Sequence, residues 1–393
     1  MTVVLVCISF FILYGVIEYA VHIHYASKIP IRIHVNGTRG KSSVTRLIAS
    51  GLNAAGLKTF AKTTGSAARL IFPDGTEQVV SRSGPANILE QMRVIRQVAR
   101  HKPDVLVIEC MAIRANLQKI SSQKLVRASL AVITRVGPDH LDSMGPTEKD
   151  VALALAQTIP QKGDLFTTEK KFLSLFSEIA GKKKARVHPV HFQEDDFSGI
   201  RKALPYIEHA ENIALALAVC SFLGTDTPTA LDGMKKTQPD IGALQEGHIA
   251  IDGKSVTFIN AFAANDPASI ASIWSRYRKN VSTRTKTLII INLRPDRPHR
   301  TKQLAKLPGD ELQADFYLVA GEPYPAFRKI AVRAGAPMER ILRLQEPCVN
   351  GVIKSLKKID ADRIMIMGIG NMAGAGIQII NFFQRFPEPN SSD

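Results

Sequence analysis

Cysteine is scarce and scattered. Cys7, Cys110, Cys220 and Cys348 lie far apart with no CxxC or CxxH spacing, so neither a structural zinc site nor a disulfide framework is expected. Buried free thiols in a reducing compartment are the simplest account of them. Aromatic residues are also few. Seven Tyr and one Trp, without the aromatic–basic interleaving of RNA-recognition modules, argue against a nucleic-acid partner. Acidic residues are outnumbered, 35 against 51 Lys and Arg, for a formal charge of +16. That imbalance suits a polyanionic partner (acidic lipid, nucleotide phosphates or an acidic product) or simply a solvated basic surface. Finally, no Lys or Arg precedes residue 28, and Glu18 is the first charged side chain.

What stands there instead is an apolar run, Val3–Val21, long enough to cross a bilayer as a helix of about 20 residues. It has neither the basic n-region nor the small-residue cleavage site of a signal peptide. A buried core helix is the competing reading. Lys28, Arg32, Arg39 and Lys41 follow the run, so the positive-inside bias predicts a single-pass cell-membrane protein with residues 25–393 in the cytoplasm. Glu18, inside the span, is expected at an interface or against a protein partner.

The remainder, in a chain 45% apolar and 22% charged, is enough for two or three domains. Strand and helix signals alternate. Ile29–Val35 reads as a strand, Lys41–Ala55 as a helix, Lys58–Lys62 as a strand, Asn87–His101 as a helix, and Asp104–Glu109 and Ala128–Val136 as wholly apolar strands. Such runs suit parallel strands covered on both faces. A second alternation runs from Val256–Asn260 through helix Pro267–Arg278, strands Thr287–Asn292 and Phe316–Ala320, helices Tyr324–Ala334 and Cys348–Ile359, and strand Arg363–Met367 to helix Ala373–Phe386. The turn formers of Thr237–Gly247 predict a linker, Lys182–Lys184 a solvated loop, and the tail from Pro387 a frayed end. The expected class is therefore α/β. It comprises one N-terminal transmembrane helix (1–25), a domain (26–245) that the glycine-rich run Gly37–Ser43 marks as a P-loop ATP-binding domain, and a Rossmann-like C-terminal domain (246–393).

The sharpest local signal is Asn36-Gly37-Thr38-Arg39-Gly40-Lys41-Ser42-Ser43 between a strand and a helix. Glycines let backbone N–H groups turn onto an anionic phosphate, and the helix N-terminus adds its positive dipole end. Lys41 can reach the β/γ oxygens, and Ser42 offers a hydroxyl to Mg²⁺. Gly37 through Ser43 are thus the candidate ATP-binding residues. Strand carboxyl ends of an open α/β sheet face one crevice. Glu109, closing DVLVIE, and His140, past ASLAVITRV, are therefore candidate Mg²⁺ ligands; taken singly, each could equally be structural.

With these residues the chain resembles the Mur ligase superfamily, which includes folylpolyglutamate synthetase. The resemblance rests on GTRGKSS (37–43), TTG (63–65), IECMA (108–112), DHLD (139–142), NIALALAVCSFLG (212–224), NAFAANDP (260–267), LRPDRPHRT (293–301) and GIGN (368–371). ECMA, NAFAAND and the apolar leader narrow it to the ligase subunit of poly-γ-glutamate synthase, over almost the whole chain. The resemblance implies an ATP- and Mg²⁺-dependent amide ligase that adds an amino acid, glutamate through its γ-carboxylate, to a growing anionic polymer by way of an acyl phosphate. Lys41, Glu109 and His140 are the implied catalytic set, with Ser42, Glu109 and His140 holding metal. Asn212 is placed near the adenine, and Asp296 and Arg297 at the nucleotide from the second domain. Thr64, Asn265, Asp266 and Arg300 are the implied substrate contacts. Small membrane subunits of a bacterial capsule or polymer synthase are the implied partners, and a homo-oligomer is compatible with the sequence. Asn265 and Asp266 can also be read as a helix cap before Pro267, and Arg294, Arg297 and Arg300 as a solvated face rather than an anion site.

Three positions depart from the family pattern: Arg135 where relatives carry Asn, Gln245 near an expected phosphate-contacting Arg, and no carbamylated Lys in 152–157. They keep a second reading open, a membrane-tethered nucleotide-binding scaffold or regulator with little turnover.

Overall fold

The computed structural model describes residues 1–64, 68–82, 84, 86–193, 195–204, 206–264, 267–279, 281–345 and 348–384. Asn265, Asp266, Gly65 and the tail from Pro387 lie outside them. Within the described chain one compact unit takes Met1–Leu204 and Glu208–Gln238, and the other takes the rest.

Eight strands build the first unit: β1 (Ile31–Asn36), β2 (Thr59–Lys62), β3 (Arg69–Ile71), β4 (Glu77–Val79), β5 (Val105–Glu109), β6 (Leu130–Ile133), β7 (Asp164–Thr167) and β8 (Arg186–Pro189). They form one sheet in the order β4-β3-β2-β5-β1-β6-β7-β8. The pairings β2–β3 and β3–β4 are antiparallel and the others parallel. The central strands are apolar because both faces are covered, with Val105–Ile108 and Leu130–Ile133 nearly all without exposure. β1 lies between β5 and β6, with Val35 opposite Glu109 and Asn36 opposite Ile133. The register brings three strand ends to one crevice, the place where ligands bind in open α/β sheets.

The N-terminal helix α1 runs Thr2–Ser27, longer than the apolar run, and is long and apolar enough to cross a membrane. Its side chains through Val21 are exposed, whereas His22 and Ala26 are buried. His22 Nε2 lies 2.7 Å from the Leu125 carbonyl, and Arg96 Nη2 donates to the Glu18 carbonyl (3.2 Å) and lies 3.7 Å from its carboxylate. Ala26 and Ile29 join the core shared with Val94, Ile95 and Val98 of helix α3 (Glu90–Ala99). Glu18, expected at an interface or a partner, thus has a partner within its own chain.

Three further expectations need correction. Cys7 is exposed on α1, while Cys110, Cys220 and Cys348 are buried free thiols. Lys183 is not solvated: its ammonium donates to the carbonyls of Ala156, Gln157 and Ile159 (2.8–3.3 Å), capping a helical end that lacks donors. The last three residues of the expected linker, Gln245–Gly247, open a strand. Gln245–Ile251 alternates in exposure and pairs antiparallel with its neighbour, burying Ile249 and Ile251 on one face.

That strand, β9, edges the second unit's sheet. The others are β10 (Lys254–Asn260), β11 (Thr285–Asn292), β12 (Phe316–Ala320), β13 (Ile341–Arg343) and β14 (Arg363–Gly370), in the order β13-β12-β11-β14-β10-β9. All but β9 are parallel. Separate clusters cover the two faces, one around Trp274, Tyr317 and Phe327 and the other around Phe258, Phe262 and Phe383, as a doubly wound sheet requires.

Candidate functional site

The loop after β1 is fixed from below. Asn36, almost fully buried, donates from Nδ2 to Gln118 Oε1 (2.7 Å) and accepts the Gly37 N–H at Oδ1 (2.9 Å). Gly37 and Gly40 take φ of +139° and +78°, the region open to glycine. A Cβ on Gly37 would stand 2.0 Å from Thr134 Oγ1, and one on Gly40 2.4 Å from Asn212 Oδ1. Neither place admits a side chain. Gly40 then caps helix α2, Lys41–Ala54, whose free N-terminal donors face the loop. Lys41 Nζ folds back to the Gly37 carbonyl at 2.6 Å.

The neighbouring strand ends complete the crevice. Ser42 Oγ donates to Glu109 Oε2 (2.9 Å), and the Thr64 N–H donates to the same oxygen (2.8 Å). Oε1 of this nearly buried carboxylate takes no hydrogen bond among the described residues. Thr38 donates from N–H and Oγ1 to the Arg135 carbonyl (2.9 and 3.0 Å). The departure at Arg135 therefore leaves the loop's anchor intact, because the contact is to backbone. Arg39 stands close to Asp139 and Arg135. Burial lowers its guanidinium pKa, Asp139 opposes this and Arg135 adds to it. His140, at φ +46°, caps the short helix Leu141–Met144, with Nε2 3.7 Å from Asp139 Oδ1. Ser42, Thr64 and Glu109 thus come into direct contact, while His140 stands on the neighbouring loop against Asp139. Among the described residues no three His, Cys, Asp or Glu side chains gather into a metal cage.

Asn212, expected beside adenine, reaches Gly40 and donates to Glu208 Oε1 (2.7 Å). Glu208 was not anticipated. Burial pushes its carboxyl up, and the hydrogen bonds from Asn212 and the His209 N–H offset this only in part. Thr134 and Gln118 are further supports that sequence reading misses; of the loop's supports only Asn36, which opens the motif, is visible there. Where a carbamylated Lys would stand, Ala152, Ala154, Leu155 and Ala156 are packed into the core.

Beneath the loop lies a buried ion pair. Lys62 Nζ is 2.6 Å from Glu90 Oε1, neither side chain being more than 2% exposed, and Arg82 bonds the other carboxylate oxygen. His34, fully buried on β1, is pushed down to about 3 by burial, with Lys62 adding to it. It is neutral, and neither ring nitrogen has a hydrogen-bond partner among the described residues.

In the second unit Asp296 forms a two-point pair with Arg294 (2.9 and 2.7 Å), which holds its carboxyl below the usual range. Arg297 precedes helix Pro298–Lys306 and accepts its Thr301 N–H (3.1 Å). Arg300 Nη2 donates to the Ala264 and Gly370 carbonyls, both at 2.9 Å, and so ties together the loops after β10 and β14. Asn292 donates to the carbonyls of Asn371 and Ala373, and Asn371 returns a bond to Asn292 O. Gln245 lies on β9 opposite Asn260.

Known proteins share this architecture. Residues 35–218 match the Mur ligase middle domain, and residues 247–386 match the poly-gamma-glutamate synthase CapB C-terminal domain. The capsule biosynthesis protein CapB of Bacillus anthracis is 35% identical over 378 residues, covering 96% of this chain and 81% of that one. The PGA synthase CapB of Bacillus subtilis (strain 168) is 32% identical over 382 residues, covering 97% of each. Among solved structures, Mycobacterium tuberculosis folylpolyglutamate synthase complexed with ADP superposes with a TM-score of 0.69 over 94% of both chains, at 18% identity. The matches run from the phosphate loop to the last helix, and with them the chain belongs to the CapB family of poly-γ-glutamate synthases, within the Mur ligases, and so to the ATP-dependent amide ligases.

Proposed function

We propose that this ligase extends a poly-γ-glutamate chain for a bacterial capsule or secreted polymer, using ATP and Mg²⁺. The observation that carries the proposal is the Ser42–Glu109 contact at the mouth of a glycine loop: a hydroxyl and a buried carboxylate held 2.9 Å apart beside Lys41. Both are hard oxygen donors, which suits Mg²⁺ that keeps several waters and bridges phosphates. His140 is the third proposed ligand. A bound Mg²⁺ would neutralise charge on the β- and γ-phosphates. Gly37 through Ser43 bind the phosphates through backbone N–H groups and hydroxyls, and Lys41 leaves the Gly37 carbonyl to meet the γ-phosphoryl oxygens. Asn212 positions the loop and borders the nucleotide base. Asp296 and Arg297, in the second domain (residues 246–393), are further proposed nucleotide contacts.

A carboxylate is a poor electrophile until it carries a leaving group. The acceptor carboxylate attacks the γ-phosphorus and ADP departs, giving an acyl phosphate. The incoming amine then attacks the acyl carbon, phosphate leaves with the bonding pair, and the amine's proton passes to solvent. Thr64, Asn265, Asp266 and Arg300 are the proposed substrate contacts. Helix α1 anchors the chain with its catalytic units in the cytoplasm, beside small membrane subunits that pass the polymer outward, since a long polyanion does not cross hydrocarbon unaided.

The test is incubation of the membrane-inserted protein with ATP, Mg²⁺ and single amino acids, reading product mass and phosphate release. Glutamate-dependent phosphate release with products spaced by one glutamyl residue is expected, abolished in a folded Lys41→Ala variant. Phosphate release that ignores every amino acid would favour the scaffold reading.

A further inference from the structure

A second site lies wholly in the second unit, at the amino ends of its strands, opposite the end where Asn292, Arg300 and Asn371 converge. There a pocket of about 750 Å³ opens where helix Pro267–Arg278 runs off the sheet. Its floor is polar where the same face is elsewhere core. Ser255, Arg363 and Thr285 share one row across β10, β14 and β11, and Thr257 and Met365 make the next. Two residues further along, Ile259 and Met367 are fully buried. A sheet floor of hydroxyls and a guanidinium has no packing role, so the change in chemistry marks a surface made for a polar occupant.

The charges say which kind. Arg363 rises from the floor and Arg276 stands on the helical wall, and neither has a hydrogen-bond or ion-pair partner among the described residues. The one acid at the rim, Glu246, is already engaged: the Tyr277 hydroxyl bonds it and His248 Nε2 lies 3.4 Å away. Two guanidinium groups thus share a space within the range of small-molecule sites. Their planar forks match carboxylates two points at a time, and neighbouring hydroxyls supply further donors.

We propose that this pocket binds carboxylates of the growing polymer away from its reacting end. The proposal rests on the reading of the chain as a γ-glutamyl ligase. Each γ-linked residue keeps one free α-carboxylate, so the product is a regular polyanion that can bridge Arg276 and Arg363. A hold at a second point keeps the chain on the enzyme between additions, raising the effective concentration of its end at the ligation site.

The experiment uses the full chain in lipid nanodiscs without ATP, titrated with a fluorescent γ-linked glutamate oligomer, with inorganic phosphate as a competing anion. Arg276→Gln and Arg363→Gln should each weaken oligomer binding about tenfold, the loss of one charge-assisted contact, with unchanged thermal unfolding. With ATP added, the double variant should form the first amide bond at the native rate but release shorter polymer. Native-like oligomer binding by the double variant, an unchanged product length, or displacement of oligomer by phosphate as effectively as by unlabelled oligomer would each overturn the proposal. A Lys41→Ala protein should still bind the oligomer, so failure of the ligase reading would show as absent turnover and not as absent binding.

Discussion

Ser42 and Glu109, 67 positions apart in sequence, share a hydrogen bond of 2.9 Å, and the Thr64 N–H lands on the same carboxylate oxygen. One carboxylate therefore joins the loop after β1 to the loop after β2. Glu109→Ala should raise the divalent-metal concentration needed for half-maximal ATP turnover by at least tenfold, and Ser42→Ala by less. Because both act on one site, the double variant should cost less than the sum of the two. His140→Ala belongs in the same cycle. Additive losses with unchanged metal dependence would assign these residues to structure alone.

The Lys62–Glu90 pair makes a different demand. Burial lowers the Lys62 pKa and Glu90 opposes this, while Arg82 and Lys62 hold Glu90 below its ordinary range although burial pushes it up. Lys62→Ala leaves a buried carboxylate with Arg82 alone and should cost about 3 kcal/mol of unfolding free energy in urea titrations. Lys62→Met combined with Glu90→Gln should recover much of that loss. A Lys62→Ala protein as stable as the native one would mean that water or Arg82 already neutralises Glu90.

His34 offers the reverse case. Among the described residues both ring nitrogens are buried without partners, so the imidazole carries desolvation with no compensating bond. His34→Phe, of similar shape, should raise stability by about 1–2 kcal/mol and leave the metal dependence of turnover unchanged. A lowered melting temperature would imply a hydrogen bond to an ordered water.

Asp164 sets a pH dependence. Burial pushes its carboxyl up, but Arg186 (2.8 and 3.0 Å) and His188 (2.7 Å) outweigh this and hold it below the ordinary range. A carboxyl whose folded pKa lies below its unfolded value contributes stability fully above the unfolded value, about pH 3.9, and loses it as pH falls through the folded one. Acid unfolding of the native protein should therefore steepen below about pH 4, and Asp164→Asn should flatten that limb. Parallel curves for the two proteins would remove this link between β7 and β8.

Legibility in the sequence follows burial. Helix Pro267–Arg278 and strand Phe316–Ala320 can be read with their observed bounds, because a proline start and an unbroken apolar run leave little choice. The hairpin Arg69–Ile71 with Glu77–Val79 cannot: its strands have three residues each, and the outer one is on the exposed side, so no apolar pattern announces it. β9 hides for a related reason, since half of its residues face water. In the crevice, residues that touch phosphate in known folds carry a motif. Their supports carry none: Gln118 meets Asn36 only through tertiary structure, 82 positions away, and Glu208, though four residues before Asn212, belongs to no recognisable pattern. Arg300 shows what charge as a signal leaves out: its place after a strand suggests an anion, but no motif announces that its Nη2 also holds two backbone carbonyls.

Helix α1 passes into β1 with only residues 28–30 between, and Ile29 within that stretch is core. With His22 and Ala26 also buried, there is no swivel between them. Were α1 anchored as proposed, a bilayer that houses its exposed part would work on the sheet as a hand works on a lever. Membranes of different thickness tilt a helix differently to hide its apolar length, and the strand that carries the glycine loop turns with it. On the proposed anchoring, the angle of the crevice to the membrane is thus set by the lipid as well as by the protein.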